Sequence, residues 1–339
     1  MRLAATGDVM LGRNTGVILR RRPPEYVWGD TLPLFRAADV VLVNLECVIA
    51  GDEAGDPWPR KVFHFKAPPA AVEALRAAHV TAVTLANNHT LDYGPTALEE
   101  MLGLLGETGI PAAGAGRTPE EARRAVTLKV EGLRIGLINC TDNEPGWEAR
   151  AGSPGVCYVP VDLHDERART LLDLVRAARA GHDLVIVAAH WGPNMSPEPL
   201  PHHPPFARAL ADAGADLFIG TSAHVVQGIE LYRVAGRPGG VVPICYDLGD
   251  YVDDYAVDPD LRNDRSFLFV FDLDRTGVRG IHLQPILIDG WRCQANRARG
   301  ADAAETMATM VARCRKMGTS VGQEGGGLTV DVETPAARQ

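Results

Sequence analysis

The sequence predicts an α/β fold of the α/β/β/α sandwich type, in which two mixed sheets pack face to face and helices cover their outer faces. Strand-like and helix-like segments alternate through the first two-thirds of the chain. From Val225 onward most segments are strand-like and are joined by turns rich in Gly, Pro and Asp. We expect one domain over residues 1–295, a C-terminal helix over residues 296–317 and a flexible tail over residues 318–339.

The individual elements follow from apolar periodicity and from the residues that mark their ends. Pro68-Pro69 precedes the second predicted helix, Gly109 closes the third, and Glu131-Gly132 separates the two strands of a hairpin. The predicted helices are Asn14–Arg22, Ala70–Ala78, Pro95–Thr108, Asp162–Ala180, Pro205–Ala213 and Ala301–Met317. The predicted strands are Arg2–Thr6, Val40–Val43, Thr81–Leu85, Val126–Val130, Arg134–Asn139, Leu184–Ala189, Leu217–Ile219, Val225–Val234, Val241–Tyr246, Phe267–Leu273 and Ile281–Ile288.

The composition is that of a soluble globular protein, with 46% hydrophobic and 23% charged residues among 339. The formal net charge of −9, without any stripe rich in Lys or Arg, argues against a nucleic-acid partner. The N-terminus does not resemble a secretion signal and no apolar run is long enough to span a bilayer, so we expect a cytoplasmic protein with no membrane partner. The six cysteines show no C-x-x-C spacing, which argues against a zinc ribbon or a disulfide framework. No organic cofactor is expected.

Five clusters of polar residues each follow directly after a β-like apolar run. Because ligands of open α/β sheets bind beyond the carboxyl ends of the strands, we expect the clusters to meet at one edge. Their Asp, Glu, Asn and His side chains offer oxygen and imidazole ligands, which could hold one or two divalent cations. The clusters are Gly7-Asp8, Asn44-Leu45-Glu46, Asn87-Asn88-His89, His190-Trp191-Gly192 and Gly220–His224.

Each of these side chains also has a purely structural interpretation. Asp8 can form a turn or cap a helix, and Glu46, which lies in an apolar run, can pair with an arginine. His190 and His224 can be core histidines with satisfied polar atoms. Asn87-Asn88-His89 is the strongest local signal, because an amide oxygen can ligate a metal while the neighbouring imidazole transfers protons.

Other residues are candidates for catalysis or for substrate binding. His64 lies between two phenylalanines and is expected to face the same crevice as the clusters, while Cys47 adjoins Glu46. The acidic segment Tyr246–Asp254 either lines the pocket as a base or cation attractor or forms a solvated loop. The further candidates for substrate binding are Lys66, Trp191 and Arg13.

In this order the motifs resemble those of the CapA-like (poly-γ-glutamate capsule synthesis) branch of the calcineurin-like metallophosphatase superfamily. The matching pieces, within residues 1 to about 255, are GDVMLGR (Gly7–Arg13), NLE (Asn44–Glu46), FKAPP (Phe65–Pro69), NNHTLDYG (Asn87–Gly94), AHWG (Ala189–Gly192), GTSAHVVQGIE (Gly220–Glu230) and YDLGDY (Tyr246–Tyr251). The resemblance implies an α/β/β/α sandwich and assigns His89 as the acid/base residue. The metal ligands that it implies, with Glu46 bridging, are Asp8, Glu46, Asn88, His190 and His224.

The sequence also departs from the superfamily at three positions. Met10 stands where a His usually follows the first Asp, and Ser222 replaces the first His of the last H-x-H motif. Asp250 stands where the branch usually has Asn. Each of the two potential metal sites has therefore lost an imidazole, which leaves one or two ions of Mn, Zn, Ca or Mg as the expected cofactor.

The altered metal motif favours mild acid/base chemistry on a peptide substrate over phosphoester hydrolysis. The most specific hypothesis is Cα epimerisation of a precursor-peptide residue in ribosomal (lasso) peptide biosynthesis. There His89 would be opposed by Asp250, Glu46 or Cys47. The alternatives are a metallophosphoesterase, a hydrolase that processes poly-γ-glutamate, and a non-catalytic binding protein for an anionic polymer.

Overall fold

The computed structural model describes residues 1–236 and 240–332. Within them the strands are β1 (Arg2–Val9), β2 (Val40–Leu45), β3 (Val48–Ile49), β4 (Lys66–Ala67), β5 (Ala82–Thr84), β6 (Ala112–Ala113), β7 (Ala115–Gly116), β8 (Val126–Val130), β9 (Leu133–Thr141), β10 (Gly155–Val156), β11 (Leu184–His190), β12 (Leu217–Thr221), β13 (Ile229–Arg233), β14 (Val241–Cys245), β15 (Asp250–Val252), β16 (Arg265–Asp274), β17 (Gly277–Asp289), β18 (Gln294–Arg297), β19 (Gly322–Glu324) and β20 (Gly327–Asp331). The helices are α1 (Arg13–Leu19), α2 (Leu32–Arg36), α3 (Ala71–Ala77), α4 (Gly94–Thr108), α5 (Pro119–Arg123), α6 (Glu166–Gly181), α7 (His203–Ala213) and α8 (Gly300–Lys316).

Two mixed sheets form the centre of the molecule. The larger has the strand order β19-β20-β17-β16-β1-β2-β5-β6, with β15 beside β1 and β18 beside β17. The smaller has the order β13-β14-β12-β11-β9-β8. Strands β1, β2 and β5 run parallel in the first sheet, and β9, β11 and β12 run parallel in the second. Each sheet therefore presents a set of strand carboxyl ends at one edge.

The apolar side chains form three clusters that define the layers. One cluster joins the inner faces of the two sheets and includes Leu3 and Ala5 of β1 with Ile186 of β11. Ala4 of β1 belongs instead to the cluster between the larger sheet and helices α3 and α4. A third cluster lies between the smaller sheet and helices α6 and α7. This alternation along β1 is the period of two that a strand imposes, and the α/β/β/α sandwich predicted from the sequence is confirmed.

The strands that follow Val225 do not make up a sheet of their own. β13 and β14 extend the smaller sheet beyond β12, whereas β16 pairs antiparallel with β1 and continues the larger sheet into β17. Both sheets therefore contain strands from both parts of the sequence. The consecutive strands predicted the number of layers but not the sheet to which each strand belongs.

The flexible tail predicted for residues 318–339 is wrong over the part that the structure describes. β19 and β20 form a hairpin, and β20 pairs antiparallel with β17. Gly325 and Gly326 both have positive φ angles, as the turn of a tight hairpin requires, so the glycine run forms a turn. Leu328 and Val330 alternate inward and are buried between the two sheets, which holds this segment in place. Residues 333–339 lie outside the described residues.

No helix in the described residues combines the length and the apolar character needed to cross a membrane.

Candidate metal centre

The polar clusters that follow the parallel strands meet at one edge of the sandwich. Asp8, near the end of β1, lies between Asn44 of β2 and Asp250 of β15, because β1 pairs in parallel with both strands. Gly7 allows this arrangement, since a Cβ atom at that position would lie 1.7 Å from the carbonyl oxygen of Gly249. The strand pairing therefore brings residues that are far apart in the sequence to one point.

Four buried side chains form a compact group of potential metal ligands. Asp8, Glu46, His224 and Asp250 each offer one ligand atom, and these atoms all lie within 4.8 Å of one another. The Nδ1 atom of His224 lies 2.8 Å from Oδ1 of Asp250 and 3.5 Å from Oδ2 of Asp8. Carboxylate oxygens and imidazole nitrogens are ligand atoms that bind Zn and Mn in proteins.

The Oε1 atom of Glu46 lies at the centre of this site. The Nε2 atoms of His89, His190 and His224 lie 3.9, 3.9 and 4.0 Å from it, too far for hydrogen bonds. This buried oxygen has no hydrogen-bond partner among the described residues, although Oε2 accepts a hydrogen bond of 3.0 Å from the hydroxyl of Tyr255. An unpartnered buried carboxylate oxygen that faces three imidazoles is the arrangement expected where a cation binds.

A second group of side chains adjoins the first. The Nε2 atom of His190 lies 2.9 Å from Oδ1 of Asn88, and its Nδ1 atom lies 3.6 Å from Oδ1 of Asp8. Asn44 donates a hydrogen bond of 2.6 Å to the same oxygen of Asp8 and accepts one of 2.8 Å from Thr84. The five ligands that the resemblance implied are thus brought together.

The charges of this cluster are not balanced within the protein. Burial, reinforced by the charge of Asp8, raises the pKa of Glu46 well above its ordinary value, and burial does the same for the pKa of Asp250. Burial also opposes ionisation of Asp8, but His190 and His224 outweigh it and lower the pKa of Asp8. Burial disfavours the charged form of His224, yet Asp250 and Glu46 outweigh that effect and raise its pKa. A divalent cation would compensate the three carboxylates, so the donor set fits such an ion.

His89 belongs to a separate hydrogen-bonded pair. Its Nδ1 atom lies 2.6 Å from Oδ2 of Asp92, and Oδ1 of Asp92 lies 2.6 Å from Nζ of Lys61. The imidazole stacks on the ring of Phe65 with 3.8 Å between centroids. Burial and the neighbouring Lys61 lower the pKa of His89 well below its ordinary value, while burial raises the pKa of Asp92 to about 7. With Nδ1 held by Asp92, the Nε2 atom is directed toward Glu46, an arrangement in which an imidazole can accept or donate a proton.

A cavity of about 270 Å³ opens onto this centre. His89 and His224 contribute from the side of the candidate ligands, and Arg13 with the aromatic rings of Phe63, Phe65 and Tyr255 forms another part of the wall. The remaining lining residues are Asn194, Met195, Ala256 and Asn263.

Two of the residues predicted to bind substrate, His64 and Lys66, do not line this cavity. The cavity is lined by Phe63 and Phe65, and His64 between them makes a contact of 2.6 Å from its Nε2 atom to the carbonyl oxygen of Pro59. The side chains alternate as predicted, but the two phenylalanines line the cavity and His64 does not. Lys66 donates to the carbonyl oxygen of Gly51 and lies over the ring of Tyr93, and it does not line the described cavity.

Two further predicted residues are part of the core. Trp191 is buried beneath helix α7, stacks on His203 and donates a hydrogen bond to the carbonyl oxygen of Tyr246. Cys47 is buried in the cluster between the larger sheet and its helices, because it follows Glu46 after β2 with the opposite orientation. Burial raises the pKa of its thiol to about 12, which leaves no thiolate for chemistry near neutral pH. Of the predicted substrate-binding residues, Arg13 alone lines the described cavity.

The structure adds four residues that were not among the predicted site residues. Tyr255 contacts Glu46, Lys61 contacts Asp92, and Phe65 stacks on His89. Asp92 lies inside the NNHTLDYG motif, so its spacing from His89 was a usable signal. Tyr255 and Lys61 lie in segments without periodicity, and only the path of the chain brings them to the site.

An α/β/β/α sandwich with a buried site of carboxylates and imidazoles that could bind a metal ion is characteristic of metallophosphatase-like proteins. Among such proteins the family described as "Bacterial capsule synthesis protein PGA_cap" matches residues 2–255, and the chain belongs to that family. The resemblance to the CapA-like branch is therefore confirmed.

Similar proteins cover most of the chain. The "Probable polyglutamine synthesis accessory protein" of Mycobacterium tuberculosis is 32% identical over 328 residues, which cover 94% of this chain and 84% of that protein. The "PGA biosynthesis protein CapA" of Bacillus subtilis is 28% identical over 282 residues, 83% of this chain and 70% of that protein. The crystal structure of a hypothetical protein from Thermus thermophilus aligns with a TM-score of 0.51 and 15% identity, over 84% of this chain and 98% of that one. This last similarity supports the fold alone.

Proposed function

We propose that this protein is an enzyme that combines a divalent metal ion with acid/base chemistry by His89 on a peptide-type chain rich in carboxylates, of the poly-γ-glutamate kind. The observation that carries the proposal is the unpartnered Oε1 atom of Glu46, which faces three imidazoles beside an open cavity. The substrate class is taken from the description of the family and from the name of the relative in Bacillus subtilis, a PGA biosynthesis protein.

The metal ion would be held by Asp8, Glu46, His224 and Asp250, with Asn88 and His190 beside them. Such an ion, when bound, polarises a carbonyl oxygen and so favours attack on an amide or loss of a Cα proton. Every other contribution comes from the side chains of the protein. Asp92 accepts the Nδ1 proton of His89, which fixes the tautomer and leaves Nε2 free to accept or donate a proton.

Amide hydrolysis is the reaction that this arrangement supports best. One acid/base group suffices for it, because the group that removes a proton from water can return that proton to the leaving amine. The lowered pKa of His89 keeps its imidazole neutral near pH 7 and able to accept that first proton. The contact between His89 and Asp92 holds the ring in one orientation during both transfers.

Epimerisation at Cα of a precursor peptide is the second candidate. It needs two proton-transfer groups on opposite faces of the substrate carbon. Tyr255 is the candidate for the second group, because its hydroxyl contacts Glu46 and its side chain lines the same cavity as His89. Burial raises the pKa of Tyr255 well above its ordinary value, which keeps its hydroxyl protonated near neutral pH, so that it can donate a proton but not remove one.

Mass spectrometry of products formed in heavy water separates these reactions. Metal-loaded protein is incubated with a γ-linked glutamate oligomer and, separately, with a linear peptide. Hydrolysis gives shorter products without deuterium at Cα, whereas epimerisation gives products of unchanged length that have gained deuterium there. Chelator-treated protein and a His89→Ala variant serve as controls and are expected to be inactive. If neither substrate changes with the metal-loaded protein, the proposal fails and a binding role takes its place. Phosphate release from aryl phosphates would instead indicate a phosphoesterase.

A further inference from the structure

Arg13 has an unusual position in the wall of the cavity. Its φ angle is 50°, in the left-handed region that residues other than glycine and asparagine seldom adopt. Such a conformation is unfavourable for a residue with a side chain and persists where the surrounding structure or a function requires it. The guanidinium lies 5.9 Å from the centroid of Phe63 and 5.8 Å from that of Phe65. The chain therefore accepts backbone strain at a position that presents a cation to the cavity.

The contacts of this guanidinium leave its outer edge open. Its Nε atom lies 3.3 Å from Oδ1 of Asp254, whose side chain is almost completely buried. The other carboxylate oxygen of Asp254 accepts a hydrogen bond of 3.0 Å from the backbone of Asn14, which fixes the carboxylate. The two terminal amino groups of Arg13 make no hydrogen bond to another described residue, and the side chain is 38% exposed. Asp254 thus orients the guanidinium and leaves free the pair of donors that binds carboxylates.

The position of Arg13 relative to His89 indicates which part of a substrate the open edge of the guanidinium would bind. The guanidinium and the imidazole of His89 both lie close to the ring of Phe65, at 5.8 Å and 3.8 Å from its centroid. A chain whose amide lies beside His89 would place a substituent a few atoms away beside Arg13. Of the described residues that line the cavity, Arg13 is the one with a permanent positive charge.

We propose that Arg13 is the residue by which the cavity recognises a free carboxylate next to the reacting amide, so that the preferred occupant is an acidic peptide chain. The two terminal amino groups would donate two parallel hydrogen bonds to that carboxylate, while the aromatic rings contact the aliphatic part of the chain. This inference deepens the proposed function and rests on it for the position of the reacting amide.

Binding measurements test the inference without reference to turnover. The probes are a short γ-linked glutamate oligomer and the same oligomer with every α-carboxylate converted to a primary amide. Both are titrated by calorimetry into the metal-loaded protein in a His89→Ala background, where no turnover is expected. The metal-loaded His89→Ala protein is expected to bind the acidic oligomer about 10- to 100-fold more tightly than the amidated oligomer. One charge-assisted bidentate contact predicts a difference of this size.

Two variants of Arg13 separate recognition from folding. Arg13→Gln removes the charge, and Arg13→Asn also supplies a residue that tolerates a positive φ angle. Both are expected to bind the two oligomers with equal affinity. Both should also unfold at a lower temperature than the parent because Asp254 loses its cationic partner, with the smaller loss in the Asn variant. Arg20→Gln is the matched control, because Arg20 pairs with Asp52 on the surface and should leave the preference unchanged.

The outcomes distinguish this inference from the proposed function. If the parent protein binds neither oligomer, or binds both equally, or if the Arg13 variants keep the preference, the inference is overturned. If the preference depends on Arg13 but the protein with His89 intact turns over neither probe, the recognition stands and the proposed hydrolysis fails. If that protein cleaves the amidated oligomer as fast as the acidic one, hydrolysis stands and recognition by Arg13 fails.

Discussion

The Nδ1 atom of His89 lies 2.6 Å from the Oδ2 atom of Asp92, three residues further along the same loop. Both side chains are buried, and the backbone N–H of Phe65 donates a second hydrogen bond of 2.6 Å to the same carboxylate oxygen. Adjacent residues of the loop therefore make different contacts. Asn88 contacts His190 beside the candidate metal ligands, and His89 is held with its Nε2 atom 3.9 Å from Oε1 of Glu46.

Replacing His89 by Gln should lower turnover by about 10²–10⁴-fold, which is the usual contribution of one acid/base group. Metal content and thermal stability should change little, since the ligand atoms at Asp8 and His224 are untouched. The measurement is kcat on the substrate identified by mass spectrometry, together with elemental analysis of the variant. His282→Gln is the control, because His282 is partly exposed and pairs with Asp272 away from the site. Full activity of the His89 variant would show that this imidazole transfers no proton.

Asp92 should act only through His89. Asp92→Asn is expected to slow turnover, because an amide can donate to Nδ1 and thereby favour the wrong tautomer. The variant with both changes should be no slower than His89→Gln alone, since residues that act as a unit are not additive. A double-mutant cycle on kcat measures this coupling. Additive losses would mean that Asp92 has a separate role.

Glu46→Gln should abolish metal-dependent stabilisation while leaving the metal-free protein as stable as before. Burial raises the pKa of Glu46, which favours the neutral acid form in the metal-free protein, and glutamine imitates that form. Metal at 100 times its dissociation constant should stabilise the unchanged protein by about 2.7 kcal/mol. Thermal unfolding with and without chelator measures the difference. The exposed Glu198→Gln change is the control, and a metal-induced shift that survives in Glu46→Gln would contradict the assignment.

Cys47→Ala should keep full activity and lose stability. The thiol is fully buried in the core and its pKa is raised to about 12 by burial, so it supplies neither acid nor base near neutral pH. Removing its sulfur leaves a small void that costs roughly 1 kcal/mol. Denaturant unfolding and kcat measured on the same preparation give both quantities. A loss of kcat without a loss of stability would restore Cys47 as a catalytic candidate.

His203 should make the protein less stable in mild acid. Burial, together with the neighbouring His202, lowers the pKa of His203 from 6.5 to about 4, and neither ring nitrogen has a hydrogen-bond partner among the described residues. The unfolded chain therefore binds this proton first, so stability is lost as the pH falls from about 6.5 toward 4 and is unaffected above that range. The loss from this group is at most roughly 3 kcal/mol.

His203→Phe should remove that part of the pH dependence, because phenylalanine keeps the stacking on Trp191 and does not titrate. The free energy of unfolding is measured in urea at several pH values for the variant and for the unchanged protein. The exposed His164→Gln serves as the comparison variant. Parallel curves for His203→Phe and the unchanged protein would mean that His203 binds its proton as readily in the folded protein as in the unfolded chain.

Local patterns in the sequence were enough to predict the layered fold and most of the candidate ligands. Apolar runs of four to seven residues followed by Asp, Asn or His are such patterns, and the parallel pairing of β1, β2 and β5 carries the residues after each run to the same edge. The residues at Asp8, Glu46, Asn88 and His190 were therefore predictable. So was the position of His89 beside Asn88.

Which side chains face the cavity and which face the core became known from the tertiary structure. His64 and Cys47 were predicted to lie at the site, but each turns away from it, since one step along an extended chain reverses the direction of the side chain. Tyr255 and Lys61 reach Glu46 and Asp92 through segments with no periodicity that a sequence could display. Strand pairing depends on contacts between residues that are distant in the sequence. The alternation of apolar residues predicts that a segment is a strand, but it does not predict with which other strand that segment pairs. For that reason most of the candidate ligands could be predicted from the sequence, while the residues that orient them and line the cavity were found from the structure.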